Sequence, residues 1–314
     1  MSDPFVLAAS LLTTAQAATP PIPVRLLGFD PELAVRTAED EFELPTSRES
    51  PSVEPITPEF SIPFPEASNN TFAELSPVSG AQLYEQRRMA LQAGTLYTRL
   101  SSDSFYERWA NATQQPTHEQ WQNLLAREAT AIAKGQGSNP LNILVGDSLS
   151  QWFPSSLLPG GKFWLNQGIS GENTRQVRQR LQALDATRPN TIYVMAGIND
   201  LRQGASDREI LDNLRAIAHS LRSQHPGAEI VLQSILPTRK PELSNARIRY
   251  LNRQIVYIAR VEGVSFLNVY DRFTDDRGQL RADLTTDGLH LNRRGYQVWQ
   301  GAMQEAEDWI AANR

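Results

Sequence analysis

The chain has 314 residues, a formal net charge of −5 and no cysteine. This length allows one large domain or two small ones, and the lack of cysteine excludes disulfides, thiolate metal ligands and a cysteine nucleophile. Residues 1–80 hold 12 acidic and 3 basic side chains, whereas the remainder holds 27 basic and 23 acidic ones. Because that remainder is nearly balanced, it offers no strongly basic face, and we expect no nucleic-acid partner.

The first 17 residues resemble an export signal only in part. Residues 5–12 are apolar and residues 15–17 resemble a small-residue cleavage site, but Asp3 is present and lysine and arginine are absent. We therefore expect a cytoplasmic protein, with export by an atypical signal as the alternative. No later stretch has the roughly 20 apolar residues of a membrane-spanning helix, so no integral membrane segment is expected.

Residues 1–78 are predicted to be a disordered tail, because this proline-rich and acidic stretch cannot bury enough apolar surface to offset its ordering entropy. A docking role for the tail is the alternative. Residues 79–138 are predicted to form a helical segment of two or three helices that packs on the main domain. Within it, Thr117 followed by Gln120 matches a capping box at a helix start.

Residues 139–314 show an alternating pattern that predicts an α/β domain. Short apolar runs at 143–145, 163–165, 192–195, 230–232 and 264–269 read as strands, and amphipathic stretches separate them. Such alternation predicts a mainly parallel five-stranded sheet covered by helices on both faces, closed by a last helix over about 292–312. All strand-to-helix loops then lie at one edge of the sheet, where a site is expected.

The first of these loops contains Gly146, Asp147 and Ser148. A serine just beyond a buried strand can present its hydroxyl at the carboxyl edge of the sheet, which makes Ser148 a candidate nucleophile. The alternative is that Ser148 only caps the following helix, since serine is a common N-cap residue.

The next two loops contain possible anion-binding groups. Gly171 lies in a glycine-containing loop before a helix start, so its amide N–H could donate to an anion, although a plain tight turn explains the same pattern. Asn199 follows the third strand, and its carboxamide is a neutral donor suited to an oxyanion site. Asp200 beside it is expected to accept backbone N–H bonds in the turn.

The loop before the last helix contains Asp287 and His290, three residues apart. At this spacing the carboxylate can hold the imidazole Nδ1–H and leave Nε2 free for a serine. The other three histidines, His118, His219 and His225, lie in predicted helices or at a helix end, so His290 is the candidate base. Asn292 is expected to cap the last helix.

These four stretches, GDSLS at 146–150, GISGENT at 168–174, GIND at 197–200 and DGLH at 287–290, resemble in order the four sequence blocks of the SGNH (GDSL) hydrolases. The resemblance covers about residues 140–312. It implies a flavodoxin-like three-layer α/β/α sandwich of the SGNH hydrolase type. It also implies Ser148 as nucleophile, His290 as base and then acid, and Asp287 as its orienting carboxylate. The implied oxyanion hole consists of the backbone N–H groups of Ser148 and Gly171 and the side chain of Asn199.

The implied activity is hydrolysis of carboxylic esters through a covalent acyl-enzyme, without a metal or an organic cofactor. The substrate would be a small-molecule, lipid or carbohydrate ester. Two alternatives remain open at this level. An acyltransferase would use the same triad, and a catalytically silent module would keep the fold for binding.

Overall fold

The computed structural model describes residues 26–27 and 75–313. Five parallel strands follow the five predicted runs: β2 (Leu141–Gly146), β3 (Phe163–Gly168), β4 (Thr191–Met195), β5 (Glu229–Gln233) and β6 (Ser265–Leu267). A two-residue strand β1 (Leu26–Leu27) pairs with β6, giving the order β1-β6-β5-β4-β2-β3. The predicted parallel sheet is confirmed, with one short edge strand added from the proline-rich tail. Residues 1–25 and 28–74 of the predicted tail, which include the possible export signal, lie outside the described residues.

Ten α-helices occur within residues 75–313. They are α1 (Gly80–Gln92), α2 (Tyr106–Trp109), α3 (His118–Gly135), α4 (Ser148–Gln151), α5 (Thr174–Gln179), α6 (Ile198–Arg202), α7 (Asp207–Gln224), α8 (Asn245–Glu262), α9 (Tyr270–Phe273) and α10 (Arg293–Ala312). The predicted capping box is present at α3, where Thr117 and Gln120 bond reciprocally, and Asn292 caps α10 through Gly295. In the described part of the chain, no helix combines the length and apolarity needed to cross a bilayer.

The sheet is the middle of three layers because its strands are apolar on both faces. Alternate strand residues such as Ile143 and Val145 pack with α3, α5, α7 and α8 in one core. Leu144 points the other way and packs with Phe153 and the α10 residue Trp299 in a second core. This alternation is the period-2 arrangement expected of a buried parallel strand, and it confirms the three-layer α/β/α architecture.

The helical segment covers the exposed edge of β3. Arg87 on α1 forms a fully buried ion pair with Glu128 on α3, and its Nη2 also donates to the Asn166 carbonyl oxygen at 2.7 Å. The Thr98 hydroxyl donates to the Trp164 carbonyl oxygen at 2.7 Å. Two carbonyl oxygens of the edge strand β3 thus accept hydrogen bonds from this segment. The segment covers a sheet edge that would otherwise be open to pairing with another strand.

Candidate active site

Register places three of the predicted loops side by side. Gly146 at the end of β2 pairs with Gly168 at the end of β3 and with Met195 at the end of β4. Ser148, Gly171 and Asn199 follow these three positions by two, three and four residues, respectively. The three loops therefore start at one level of the same sheet edge, as the topology predicted.

The turn that carries Ser148 is capped by its neighbour and not by Ser148 itself. Asp147 is the N-cap of α4, and its Oδ1 accepts from the Leu149 N–H at 3.0 Å. Ser148 is the first helical residue and is 8% exposed. Ser148 is therefore not the cap of this helix. The hydrogen bond that caps the turn uses the Asp147 carboxylate and not the Ser148 hydroxyl.

Gly146 is needed for close packing and not for an unusual backbone angle. A Cβ added there would lie 2.3 Å from the Met195 carbonyl oxygen and 2.5 Å from the Ser150 hydroxyl. Its missing side chain therefore lets α4 lie directly on the strand ends.

Gly171 does require glycine, because its φ is +83° and a side chain would be strained there. Glu172 follows it and is fully buried. Its carboxylate accepts from Arg180 Nε at 2.6 Å and lies 2.9 Å from His118 Nε2. This carboxylate therefore fixes the loop that presents the Gly171 amide.

The carboxamide of Asn199 is held in one orientation by two contacts. Its Nδ2 donates to the Glu172 carbonyl oxygen at 3.0 Å, and its Oδ1 accepts from Arg202 Nη1 at 3.2 Å. One N–H of the amide remains for a ligand. Asp200 accepts from the backbone N–H and hydroxyl of Thr174 at 2.8 and 2.5 Å, which agrees with the structural role expected of it.

Asp287 and His290 form the predicted pair. Asp287 Oδ2 lies 3.0 Å from His290 Nδ1, while Oδ1 accepts from the backbone N–H groups of Leu289 and His290. Partial burial would raise the pKa of Asp287, but these hydrogen bonds from His290 and Leu289 outweigh it and the pKa is lowered. The carboxylate stays ionised, as an orienting partner of an imidazole must.

The Ser148 turn and the His290 loop meet at a small cavity of about 10 Å³. Asp147 and Leu149, on either side of Ser148, line it together with Leu289, the residue before His290, whereas Ser148 and His290 themselves do not. Tyr296 on α10 also donates from its hydroxyl to the Leu149 carbonyl oxygen at 3.1 Å. The four predicted loops therefore converge on one region, although the catalytic roles of their residues remain predictions.

The carboxyl group next to Ser148 is buried and has a raised pKa. Burial, together with the nearby carboxylates of Asp200 and Glu172, raises the pKa of Asp147 to about 7 despite the hydrogen bond from Leu149. Its Oδ2 has no hydrogen-bond partner among the described residues. Asp147 is thus a structural cap whose charge is disfavoured where it lies.

Two contacts at the site were missed from the sequence. Arg180 at the end of α5 has a side chain that is 9% exposed, and besides Glu172 it contacts the carbonyl oxygens of Gly146 and Gln167 as a donor. His118 at the start of α3 contacts Glu172. Both depend on long-range packing, for which the local sequence carried no signal.

Among the described residues, no cluster of histidine and carboxylate side chains is arranged to hold a metal ion.

Residues 130–298 match the model of the GDSL-like Lipase/Acylhydrolase family, which is more than half of the chain. The chain belongs to that family. It is accordingly a carboxylic ester hydrolase, and the family resemblance of the four sequence blocks is confirmed. No match was found among curated proteins.

Several solved structures resemble this GDSL-like acylhydrolase. A candidate platelet activating factor from Streptococcus pneumonia is 30% identical, with a TM-score of 0.53 over 61% of this chain and 94% of that one. A GDSL-like lipase from Bacteroides thetaiotaomicron is 18% identical, with a TM-score of 0.47 over 60% of this chain and 100% of that one. The acetylxylan esterase Axe2 from Geobacillus stearothermophilus is 17% identical, with a TM-score of 0.46 over 54% of this chain and 94% of that one.

Proposed function

We propose that this acylhydrolase is a serine esterase that cleaves small-molecule carboxylic esters through a covalent acyl-enzyme. Ser148 is the nucleophile, His290 the general base and then acid, and Asp287 the carboxylate that orients the imidazole. The oxyanion is stabilised by the backbone N–H groups of Ser148 and Gly171 and by Nδ2 of Asn199.

In the first half of the reaction, Ser148 Oγ attacks the ester carbonyl carbon and its proton passes to His290 Nε2. The carbonyl oxygen becomes an oxyanion and accepts hydrogen bonds from the three N–H groups. When the bond to the alcohol oxygen breaks, the imidazolium returns the proton to that oxygen and the alcohol leaves. Water then attacks the acyl-enzyme with His290 again as base, which releases the acid and restores Ser148.

The observation that carries this proposal is the 3.0 Å contact between Asp287 Oδ2 and His290 Nδ1. A carboxylate at Nδ1 fixes the tautomer in which Nε2 is free to accept a proton. The cavity that the neighbours of Ser148 and His290 share supports their assignment to one site.

The test is turnover of a p-nitrophenyl ester by Ser148→Ala. We expect kcat to fall by roughly 10³ to 10⁶, because a triad without its nucleophile keeps only residual catalysis. Ser150→Ala is the matched control, since Ser150 is a buried serine of the same helical turn whose hydroxyl has no hydrogen-bond partner among the described residues. Near-full turnover by the Ser148 variant would remove the proposal.

A further inference from the structure

A pocket of about 350 Å³ opens beside His290. One wall comes from the helical segment that precedes the hydrolase domain, through residues such as Leu83 and Tyr97. Other lining residues come from the chain that follows α4 and include Trp152, Phe153 and Ser155. The pocket is large enough for a small organic group, and it exists only because the helical segment packs beside the hydrolase domain.

The pocket touches the site on the side of the imidazole. Of the proposed catalytic residues His290 alone lines it; Ser148, Gly171 and Asn199 are not among its described lining residues. In the proposed mechanism the imidazole must return a proton to the alcohol oxygen, so that oxygen lies within hydrogen-bond reach of His290. A pocket on the imidazole side and away from the oxyanion donors is therefore on the path of the leaving alcohol.

The chemistry of the walls favours an apolar group. The walls contain aromatic and aliphatic side chains; none of the described lining residues is acidic, and Arg293 is a basic one. Two polar side chains of the walls are already engaged: Gln86 donates to the Ser102 carbonyl oxygen at 2.6 Å, and Gln151 accepts from the Ser170 N–H at 2.6 Å. The Ser102 hydroxyl has no hydrogen-bond partner among the described residues. A cationic alcohol finds no countercharge here, whereas an apolar one buries surface against the rings.

We infer that this pocket binds the alcohol part of the ester, and that the preferred alcohol is an apolar aryl or alkyl group. This inference rests on the proposed function and adds the substrate class to it. Leu83 and Ser155 are then specificity-determining residues from two different parts of the chain, and the helical segment is part of the enzyme's substrate site.

The experiment separates the alcohol from the acyl group with three esters: phenyl acetate, 2-naphthyl acetate and 2-naphthyl butyrate. The two phenols have similar acidity, so the first pair compares leaving-group size, and the second pair compares acyl size on one alcohol. Leu83→Trp and Ser155→Trp each fill the pocket from a different wall. Leu91→Trp is the matched control, because Leu91 lies on the same helix and packs in the same cluster but does not line the pocket.

The wild-type protein should prefer 2-naphthyl over phenyl acetate in kcat/KM. Each filling variant should lower that preference on the order of tenfold, because the loss of even one methylene-sized contact has an effect of this size. The ratio of kcat/KM for 2-naphthyl butyrate to that for 2-naphthyl acetate should stay unchanged. The control should leave both ratios as they are. A change confined to the acyl ratio would overturn the inference, and so would two unchanged ratios in a filling variant whose thermal unfolding matches that of the wild type.

The two variants also protect the test against misfolding. Leu83 is buried, so Leu83→Trp can disturb α1, but Ser155 is only half-buried and Ser155→Trp decides the question alone. Failure of this inference is distinct from failure of the proposed function. In the first case Ser148→Ala still abolishes turnover of all three esters, and in the second it does not.

Discussion

His118 Nε2 lies 2.9 Å from Oε1 of Glu172, which joins the helical segment to the loop of the proposed oxyanion hole. The same carboxylate accepts from Arg180 Nε at 2.6 Å. Glu172 is fully buried, so its charge depends on these two partners. Because the backbone carbonyl oxygen of Glu172 accepts from Asn199 Nδ2, Glu172 connects three parts of the molecule at one point.

Glu172→Ala should be strongly destabilising. It leaves Arg180 buried without its carboxylate, and breaking a buried pair from one side costs about 3–5 kcal/mol. His118→Ala should cost less than about 1 kcal/mol, because the His118 side chain is 43% exposed and exposed pairs contribute little. Urea unfolding of the two variants measures both values. Equal losses would show that Arg180 is not the dominant partner.

Asn199→Ala should lower kcat by about 10² to 10³ with little change in KM, because an oxyanion donor acts mainly in the transition state. Gln203→Ala is the control. Gln203 is an exposed amide just beyond the same turn, and its Nε2 donates to the Gly171 carbonyl oxygen at 3.3 Å. An unchanged rate in the Asn199 variant would remove this carboxamide from the oxyanion hole while leaving the triad in place.

Asp287→Asn should lower kcat by roughly 10³ to 10⁴, because an amide at Nδ1 no longer fixes the required imidazole tautomer. Asp283→Asn tests whether any lost carboxylate in this region has the same effect, since Asp283 pairs with Arg281 and Arg294 and not with His290. Steady-state kinetics with one aryl ester provides both numbers. Similar losses in the two variants would count against a specific role for Asp287.

Asp147 should make the protein less stable as the pH rises. Its folded-state pKa of about 7 lies above the ordinary 3.8, so between these values the native state holds a proton that the unfolded state has lost. The free energy of unfolding therefore declines from about pH 4 to about pH 7 and levels off above, by on the order of 1.4 kcal/mol per unit of pKa difference.

Asp147→Asn removes this titration but keeps an oxygen that can accept from Leu149. Its stability relative to the wild type should rise across that same pH range, as measured by urea unfolding at a series of pH values. Asp212→Asn on α7 is the control, because Asp212 is 72% exposed at its side chain. A wild-type stability that is flat between pH 4 and 7 would show that Asp147 ionises normally.

Much of the fold was accessible from local patterns. The five apolar runs became strands because buried parallel strands need apolar residues on both faces, as Ile143 and Leu144 show by packing in different cores. The Thr117 capping box and the Asn292 cap were predictable because each depends only on residues within one turn of the chain. The pairing of Asp287 with His290 is equally local, at three residues apart.

What the sequence did not reveal depends on contacts between distant residues. Arg87 and Glu128 are 41 residues apart, and nothing in either helix pattern indicates that the two charges are buried together. Arg180 looks like a solvated helix residue until the position of Glu172 is known. The pocket beside His290 was also hidden, because it is formed by residues of the helical segment that show no motif of their own.

Formation of a covalent intermediate on Ser148 is measurable by intact-mass analysis after reaction with a fluorophosphonate. We expect one added phosphonyl group, located on the peptide that contains Ser148. It should be absent in Ser148→Ala and retained in Ser150→Ala. Labelling of the Ser148→Ala variant to the same extent, or a label on another residue, would show that Ser148 is not the nucleophile.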